Sequence, residues 1–330
     1  MMNCLFLNPV PLIKLGIMQG FKENGVNVFL CEGEEFFARK LPNEQYQILE
    51  KCIKKYSIDY IFLDFGYGFA FEEIYACCQK NGVKEILFGV EDIPEASEGC
   101  NCFIDYVLPY TDYYLTTTEE LIPYAKKKFD RNLILFTFGV PSFLSDLVDK
   151  EEDYSYDLAL VANNYSSRYQ SFKDFIFPLI KEGRNLGIWG NKEWMNPNLP
   201  VNLCEYLGFY KGYFPYEDLP KLYSSTKIGL GLNCNSSSET QTSMRPYEVL
   251  GVGGSIYIAP WTKAQENLFG KSGKYCFLPK TSEEMKSNID FVLGMPKEDR
   301  INMALKAQDM AYKKYNYKDK IANLLKTLKV

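Results

Sequence analysis

Short apolar runs alternate with helix-spaced apolar positions along the whole chain. CLFL (4–7) predicts a buried strand, and Val10, Ile13, Ile17 and Phe21 then recur at helical spacing, with Gly25 as a stop. VNVFL (26–30), DYIFLDF (59–65), KEILFGV (84–90), DYYLTT (112–117) and NLILFTFGV (132–140) predict further strands. Tyr46, Leu49, Ile53 and Tyr56 mark one helix face behind an Asn43 cap. A second helix spans Phe71 to Lys80 and ends at Asn81-Gly82, and a third follows Thr118. Near-continuous apolar strands separated by helices indicate parallel sheets covered on both faces.

The acidic, weakly periodic stretch SFLSDLVDKEEDYSY (142–156) reads as a linker, after which the alternation restarts. DLALVAN (157–163), NLGIWGN (185–191), TKIGLGLN (226–233), SIYIAP (255–260) and KYCFLP (274–279) predict strands. Helices are expected over 167–183, kinked or shortened by Pro178, and over 217–225, 245–254, 281–294, 297–315 and 317–329. The expected architecture is α/β, with two Rossmann-like doubly wound domains facing a cleft. Residues 1–145 form the first domain, 146–156 the linker, 157–315 the second domain, and 316–330 a C-terminal helix packing back on the domains. Ligands of such sheets bind beyond the carboxyl ends of the strands.

A chain of 330 residues agrees with two domains at ~150 residues each. The net charge of −5 argues against a general nucleic-acid binder. Histidine is absent, which excludes Ser-His-Asp and Cys-His hydrolases and any His ligand or base. Ten cysteines, several inside apolar runs, read as free thiols of a cytoplasmic protein, and no targeting or membrane-spanning segment is expected. A Cys4 zinc site from Cys77, Cys78, Cys100 and Cys102 lacks the C-x2-C spacing. No P-loop, G-x-G-x-x-G after a strand, or G-x-S-x-G elbow occurs.

The most informative segment is 226–260, where a strand gives way to a polar Asn/Ser/Thr loop and then to a helix starting near Arg245. A helix start carries free N–H groups and positive partial charge, and an arginine adds a fork suited to phosphate oxygens. Glu248, one turn on, could accept hydrogen bonds from vicinal hydroxyls such as those of a ribose. The same spacing also fits a plain i,i+3 surface pair. An anion site needs the guanidinium open to an external partner, and a permanent internal carboxylate would defeat it. Arg168, after DLALVAN and Asn163-Asn164, is a second candidate phosphate contact or an exposed helix residue. Trp189 is expected in the core.

The chain resembles the CgeB-like (spore-maturation-protein-type) bacterial glycosyltransferases of the GT-B fold, most clearly over about 205–315. The resemblance rests on GYFPYEDLPKLYSSTKIGLGLN, SMRPYEVLGVGGSIYIA, FLPKTSEEMKSNIDFVL and AYKKYNYKDKIANLL, with weaker matches at LFGVEDIP and DYYLTTT. It implies transfer of a sugar from a nucleotide-diphosphate sugar to a protein or glycan acceptor, with no metal or other cofactor. It also implies a nucleotide-holding C-terminal domain and an acceptor-holding N-terminal domain. By resemblance, Arg245 and Thr242 would hold the diphosphate, Glu248 the ribose, and Tyr213-Phe214 would lie near the base.

Arg245 and the helix start would stabilise charge developing on the leaving diphosphate. Retaining relatives carry E-x7-E, whereas Glu239 and Glu248 are separated by eight residues, so the stereochemical outcome stays open. Asp92 is the candidate base for an inverting reaction, with Glu91 and Asp64 as rivals. The alternatives are a catalytically inactive GT-B-fold nucleotide or glycan binding protein and, more remotely, a sugar-nucleotide epimerase.

Overall fold

The structure, a computed structural model, describes residues 2–31, 37–64, 68–90, 102–145, 155–233 and 237–328. The chain divides into two compact units, Met1–Pro141 with Tyr317–Val330, and Ser142–Asn316.

The first unit holds β1 (Asn3–Leu7), α1 (Met18–Glu23), β2 (Asn27–Leu30), α2 (Pro42–Tyr56), β3 (Tyr60–Asp64), α3 (Phe71–Asn81), β4 (Lys84–Gly89), α4 (Cys102–Val107), β5 (Tyr113–Thr116), α5 (Leu121–Phe129) and β6 (Ile134–Leu135). The strands form one sheet in the order β2-β1-β3-β4-β5-β6, and every pair is parallel. Cys4, Leu5, Phe6, Leu7, Ile61, Phe62 and Leu63 are buried because helices cover both faces. Phe6 stacks on Phe62 at 4.9 Å between ring centroids, under the edge of Phe21 from α1.

The strand expected over 132–140 pairs with β5 at Ile134 and Leu135, and the Phe136 N–H adds one more bond to the Thr116 carbonyl. Phe136 and Phe138 turn their rings edge-on to Phe88. The helix from Tyr317, α13 (Tyr317–Thr327), rejoins this unit and packs along α1. A Cβ on Gly16, in the π-helical turn Ile13–Ile17 that leads into α1, would lie 2.6 Å from the Tyr317 ring, so α13 approaches closely there because Gly16 has no side chain. Asn24 donates to the Lys318 carbonyl at 2.8 Å.

The second unit holds β7 (Leu158–Val161), α6 (Tyr169–Ser171), α7 (Phe177–Lys181), β8 (Leu186–Trp189), α8 (Leu219–Ser225), β9 (Ile228–Leu230), α9 (Arg245–Val252), β10 (Ile256–Ile258), α10 (Lys263–Phe269), α11 (Ser282–Gly294) and α12 (Lys297–Tyr315). Its sheet runs β10-β9-β7-β8, again all parallel. The order reverses between β7 and β9, and the crevice of a doubly wound sheet opens at the carboxyl end of such a reversal. α6 and α7 are joined by a π-helical stretch, Phe172–Ile176. Pro178 has no N–H to continue an α-helical ladder, and the wider turn absorbs the missing bond.

The division between the units falls at Pro141–Ser142, and Ser142–Ser145 packs on α8 and α9 with Leu144 buried. Residues 146–154 lie outside the described residues. Two expectations are corrected here. KYCFLP (274–279) is not a strand: only Phe277 bridges to Ile258. Lys263–Phe269 is a helix that the apolar spacing did not reveal, anchored by the T-shaped contacts of Phe269 with Tyr247 and Tyr315.

Candidate functional site

The connection from β9 to α9 brings the polar residues to the carboxyl edge of the second sheet. Ser238 is buried, and its hydroxyl accepts from the N–H groups of Thr240 and Gln241 at 3.1 and 2.9 Å, closing a tight turn. The Glu239 carbonyl accepts from Asn267 on α10, and the residue is exposed. Thr242 is buried, and neither its hydroxyl nor that of Ser243 has a hydrogen-bond partner among the described residues. Pro246, at the second position of α9, fits a turn whose N–H would be unsatisfied in any case.

Arg245 opens α9. Its Nη1 lies 2.5 Å from Oε2 of Glu248 and donates to the Tyr223 hydroxyl at 3.1 Å, while its Nε is buried without a partner. The Arg245 side chain is 16% exposed and that of Glu248 1%. Burial raises the Glu248 pKa from its ordinary value, against the opposing pull of Arg245. Burial acts to lower the Arg245 pKa, but the Glu248 carboxylate and the Tyr223 hydroxyl outweigh it and the net shift is upward. Burial pushes the Tyr223 hydroxyl up to about 12, so it stays protonated. The guanidinium therefore remains a cation with a carboxylate already on it. In this structure the two side chains expected to meet phosphate and ribose are each other's partners. The pair is also buried, unlike the surface pair that the spacing allowed.

The other candidates sit along the same edge or elsewhere. Arg168 closes a short 3-10 turn after β7; its Nη1 donates to the Asn163 carbonyl at 3.2 Å and its Cζ lies 5.3 Å from the centre of the Tyr165 ring. Its Nε is buried without a partner. Segment 209–212 pairs with β8 through Ile188 and Gly190 and carries Tyr213 and Phe214 to the carboxyl end of that strand. Tyr213 is 71% exposed, whereas Phe214 is buried with its ring edge-on to Trp189 at 5.7 Å. Asp92 and Glu91 lie outside the described residues.

Asp64, at the carboxyl end of β3 in the first unit, is buried and its pKa is raised to about 7, with a hydrogen bond from the Val10 backbone opposing the shift. Among the described residues no group of three or more Cys, Asp and Glu side chains is placed to hold a metal ion. No helix of the described residues is long and apolar enough to cross a membrane.

The glycosyl transferase-like family model matches residues 170–326, which include the loop, Arg245 and Glu248. No curated protein sequence matches the chain. Solved structures match over the full length. Anabaena HepE in complex with UDP-glucose is 12% identical, covers 100% of each chain and has a TM-score of 0.68. Sucrose-phosphate synthase from Thermosynechococcus elongatus is 10% identical over 99% of each chain, with a TM-score of 0.65. A UDP-forming trehalose-phosphate synthase from Burkholderia xenovorans is 11% identical over 100% of this chain and 99% of its own, with a TM-score of 0.61.

The fold is that of the GT-B glycosyltransferases. In this fold the β9–α9 connection stands where doubly wound sheets take ligands, at the carboxyl edge beside the reversal of strand order. The strand, polar loop and helix start that form this connection were legible from the sequence. The internal partner of Arg245 was not, since spacing carries no information on burial.

Proposed function

We propose that the protein is a glycosyltransferase that takes its sugar from a nucleoside diphosphate sugar. What carries the reading is the match of the glycosyl transferase-like family to the segment holding the β9–α9 connection and the first turn of α9. The UDP-glucose bound by the similarly folded HepE supports a uridine donor.

In this proposal the donor opens the Arg245–Glu248 pair. The diphosphate takes the guanidinium, the Thr242 and Ser243 hydroxyls and the helix N–H groups, and the freed carboxylate accepts from the ribose. Arg168 gives a second phosphate contact, and the backbone at Tyr213-Phe214 reads the base. Charge that grows on the leaving diphosphate as the anomeric C–O bond breaks is stabilised by these groups, without a metal. The acceptor, a protein or glycan, binds the first unit, where Asp92 serves as base. The proposed setting is a bacterial cytoplasm and the proposed subgroup CgeB-like.

The test is calorimetric titration with UDP, GDP and ADP, followed by assay of UDP-sugar turnover. Binding of one diphosphate in the micromolar to low millimolar range, lost in Arg245→Ala, is expected. Absence of binding by all three removes the reading, and binding without sugar transfer leaves an inactive binding protein.

A further inference from the structure

The outer strand of the first sheet and the helix beside it meet through two contacts in line. β2 stands at the sheet edge, with β1 on one side. Phe29 of β2 stacks on Tyr56 of α2, with ring centroids 4.7 Å apart. Two residues on, the Cys31 thiol lies 3.8 Å from that of Cys52, which sits four residues before Tyr56 on α2. Cys31 directly follows β2, and its N–H still donates to the Phe6 carbonyl at 3.3 Å. The strand period of two puts Phe29 and Cys31 on one face, and the helix spacing of four does the same for Cys52 and Tyr56. The thiol contact is therefore set by how the two elements pack.

Both thiols are reduced and buried, Cys31 at 2% and Cys52 at 3% exposure. The sulfurs of a disulfide are about 2.05 Å apart, so these two must close by about 1.8 Å, which rotation about the two Cα–Cβ bonds supplies. Access comes from the position of β2. Its four residues are half-buried or exposed, and only one neighbouring strand holds it. Such an edge opens locally at lower cost than the central strands, and the opening admits a molecule as small as hydrogen peroxide.

We propose that Cys31 and Cys52 are a redox modification site, which hydrogen peroxide converts to a reversible disulfide fastening the end of β2 to α2. One sulfur takes an oxygen as the peroxide O–O bond breaks, giving a sulfenic acid and one water. The other sulfur displaces that oxygen, and its thiol proton leaves in a second water as the S–S bond forms. The two thiols give up two electrons and two protons, and the peroxide takes both. The bond ties positions 21 residues apart in the chain. It restricts the unfolded chain, so the oxidised protein melts higher. The site lies in the first unit and does not depend on the transferase reading.

The test treats the full chain with hydrogen peroxide, blocks the remaining thiols with N-ethylmaleimide in denaturant, and maps the unreduced peptides by mass spectrometry. A cross-linked pair of peptides holding Cys31 and Cys52, lighter by two hydrogens and separated by dithiothreitol, is expected. The melting temperature is expected to rise by several degrees on oxidation and to return on reduction. Cys204, which is not buried, is the comparison for simple exposure. Cys52→Ala is expected to lose the rise, with Cys31 trapped by dimedone as the sulfenic acid. Oxidation of Cys204 while Cys31 and Cys52 both remain blockable, a cross-link of either to another cysteine, or a linked chain that melts no higher would each overturn the proposal. The peptide map of the unaltered chain decides even where Cys52→Ala fails to fold.

Discussion

Arg245 and Glu248 form a buried ion pair across one turn of α9, with Nη1 2.5 Å from Oε2. Removing one member of such a pair strands the other without solvent or counter-charge. Arg245→Ala is therefore expected to lower stability by about 3 kcal/mol at neutral pH, tempered by the ability of Glu248 to take a proton. It is also expected to weaken UDP binding tenfold or more. Arg245→Met/Glu248→Gln separates the two effects. Thermal melting should show most of the stability restored, while calorimetry should show binding still lost. A double variant that binds UDP as the unaltered protein does would make the pair purely structural.

The Thr242 and Ser243 hydroxyls give the opposite signature. Both are buried and without hydrogen-bond partners among the described residues, so they contribute no internal bond to lose. Thr242→Val/Ser243→Ala is expected to change stability by less than about 1 kcal/mol, since no paired group is stranded. UDP affinity is expected to fall severalfold. A large loss of melting temperature in this variant would show that the hydroxyls serve the fold instead.

The strands were legible because burial on both faces leaves continuous apolar runs, as in β1 and β3. The long terminal helices were legible for a different reason: their apolar residues recur at helical spacing over three or more turns. Short elements were not. KAQENLF makes less than two helical turns and depends on Phe269 reaching Tyr247 and Tyr315, residues distant in sequence. KYCFLP is as apolar as a strand but pairs at one residue only.

At the candidate site, the loop and helix start were read from residue types. The choice between an open and a paired Arg245 depends on side-chain placement that spacing does not encode. The state of Asp64 depends in the same way on burial.

Asp64 gives the protein a pH dependence of known sign. Its carboxyl group has an ordinary value of 3.8, and burial raises it to about 7 in the folded chain. The folded state therefore holds a proton that the unfolded state releases between these values. Its contribution to stability is fully present below 3.8, is lost as pH rises, and is gone above about 7. Asp64→Asn removes the dependence. Melting curves should show the variant gaining a few kcal/mol on the unaltered protein at pH 8 and little at pH 4. Equal gains at both values would contradict the assignment. Should sugar transfer be measurable, the same residue lies at the carboxyl edge of the first sheet and is poised for proton transfer near neutrality, so a loss of rate in Asp64→Asn would favour it over Asp92 as base.

Gly190 fixes the carboxyl end of β8 against that of β7. A Cβ there would lie 2.0 Å from the Ala162 carbonyl oxygen and 2.8 Å from Trp194 Nε1. That carbonyl already accepts from Trp194 at 2.7 Å, and Gly190 N–H donates to the Gly212 carbonyl, so neither side has room to yield. Gly190→Ala must push apart the strand ends that carry Asn163 and lead to Arg168 and Tyr213. Overpacking of this kind costs about 1–3 kcal/mol. Gly208→Ala is the control, because nothing lies within 4 Å of a Cβ at that position. The first variant is expected to melt several degrees lower with altered tryptophan fluorescence and weaker UDP binding, and the second to behave as the unaltered protein. Matching melts for the two would mean that the β7–β8 ends do not set the geometry of this edge.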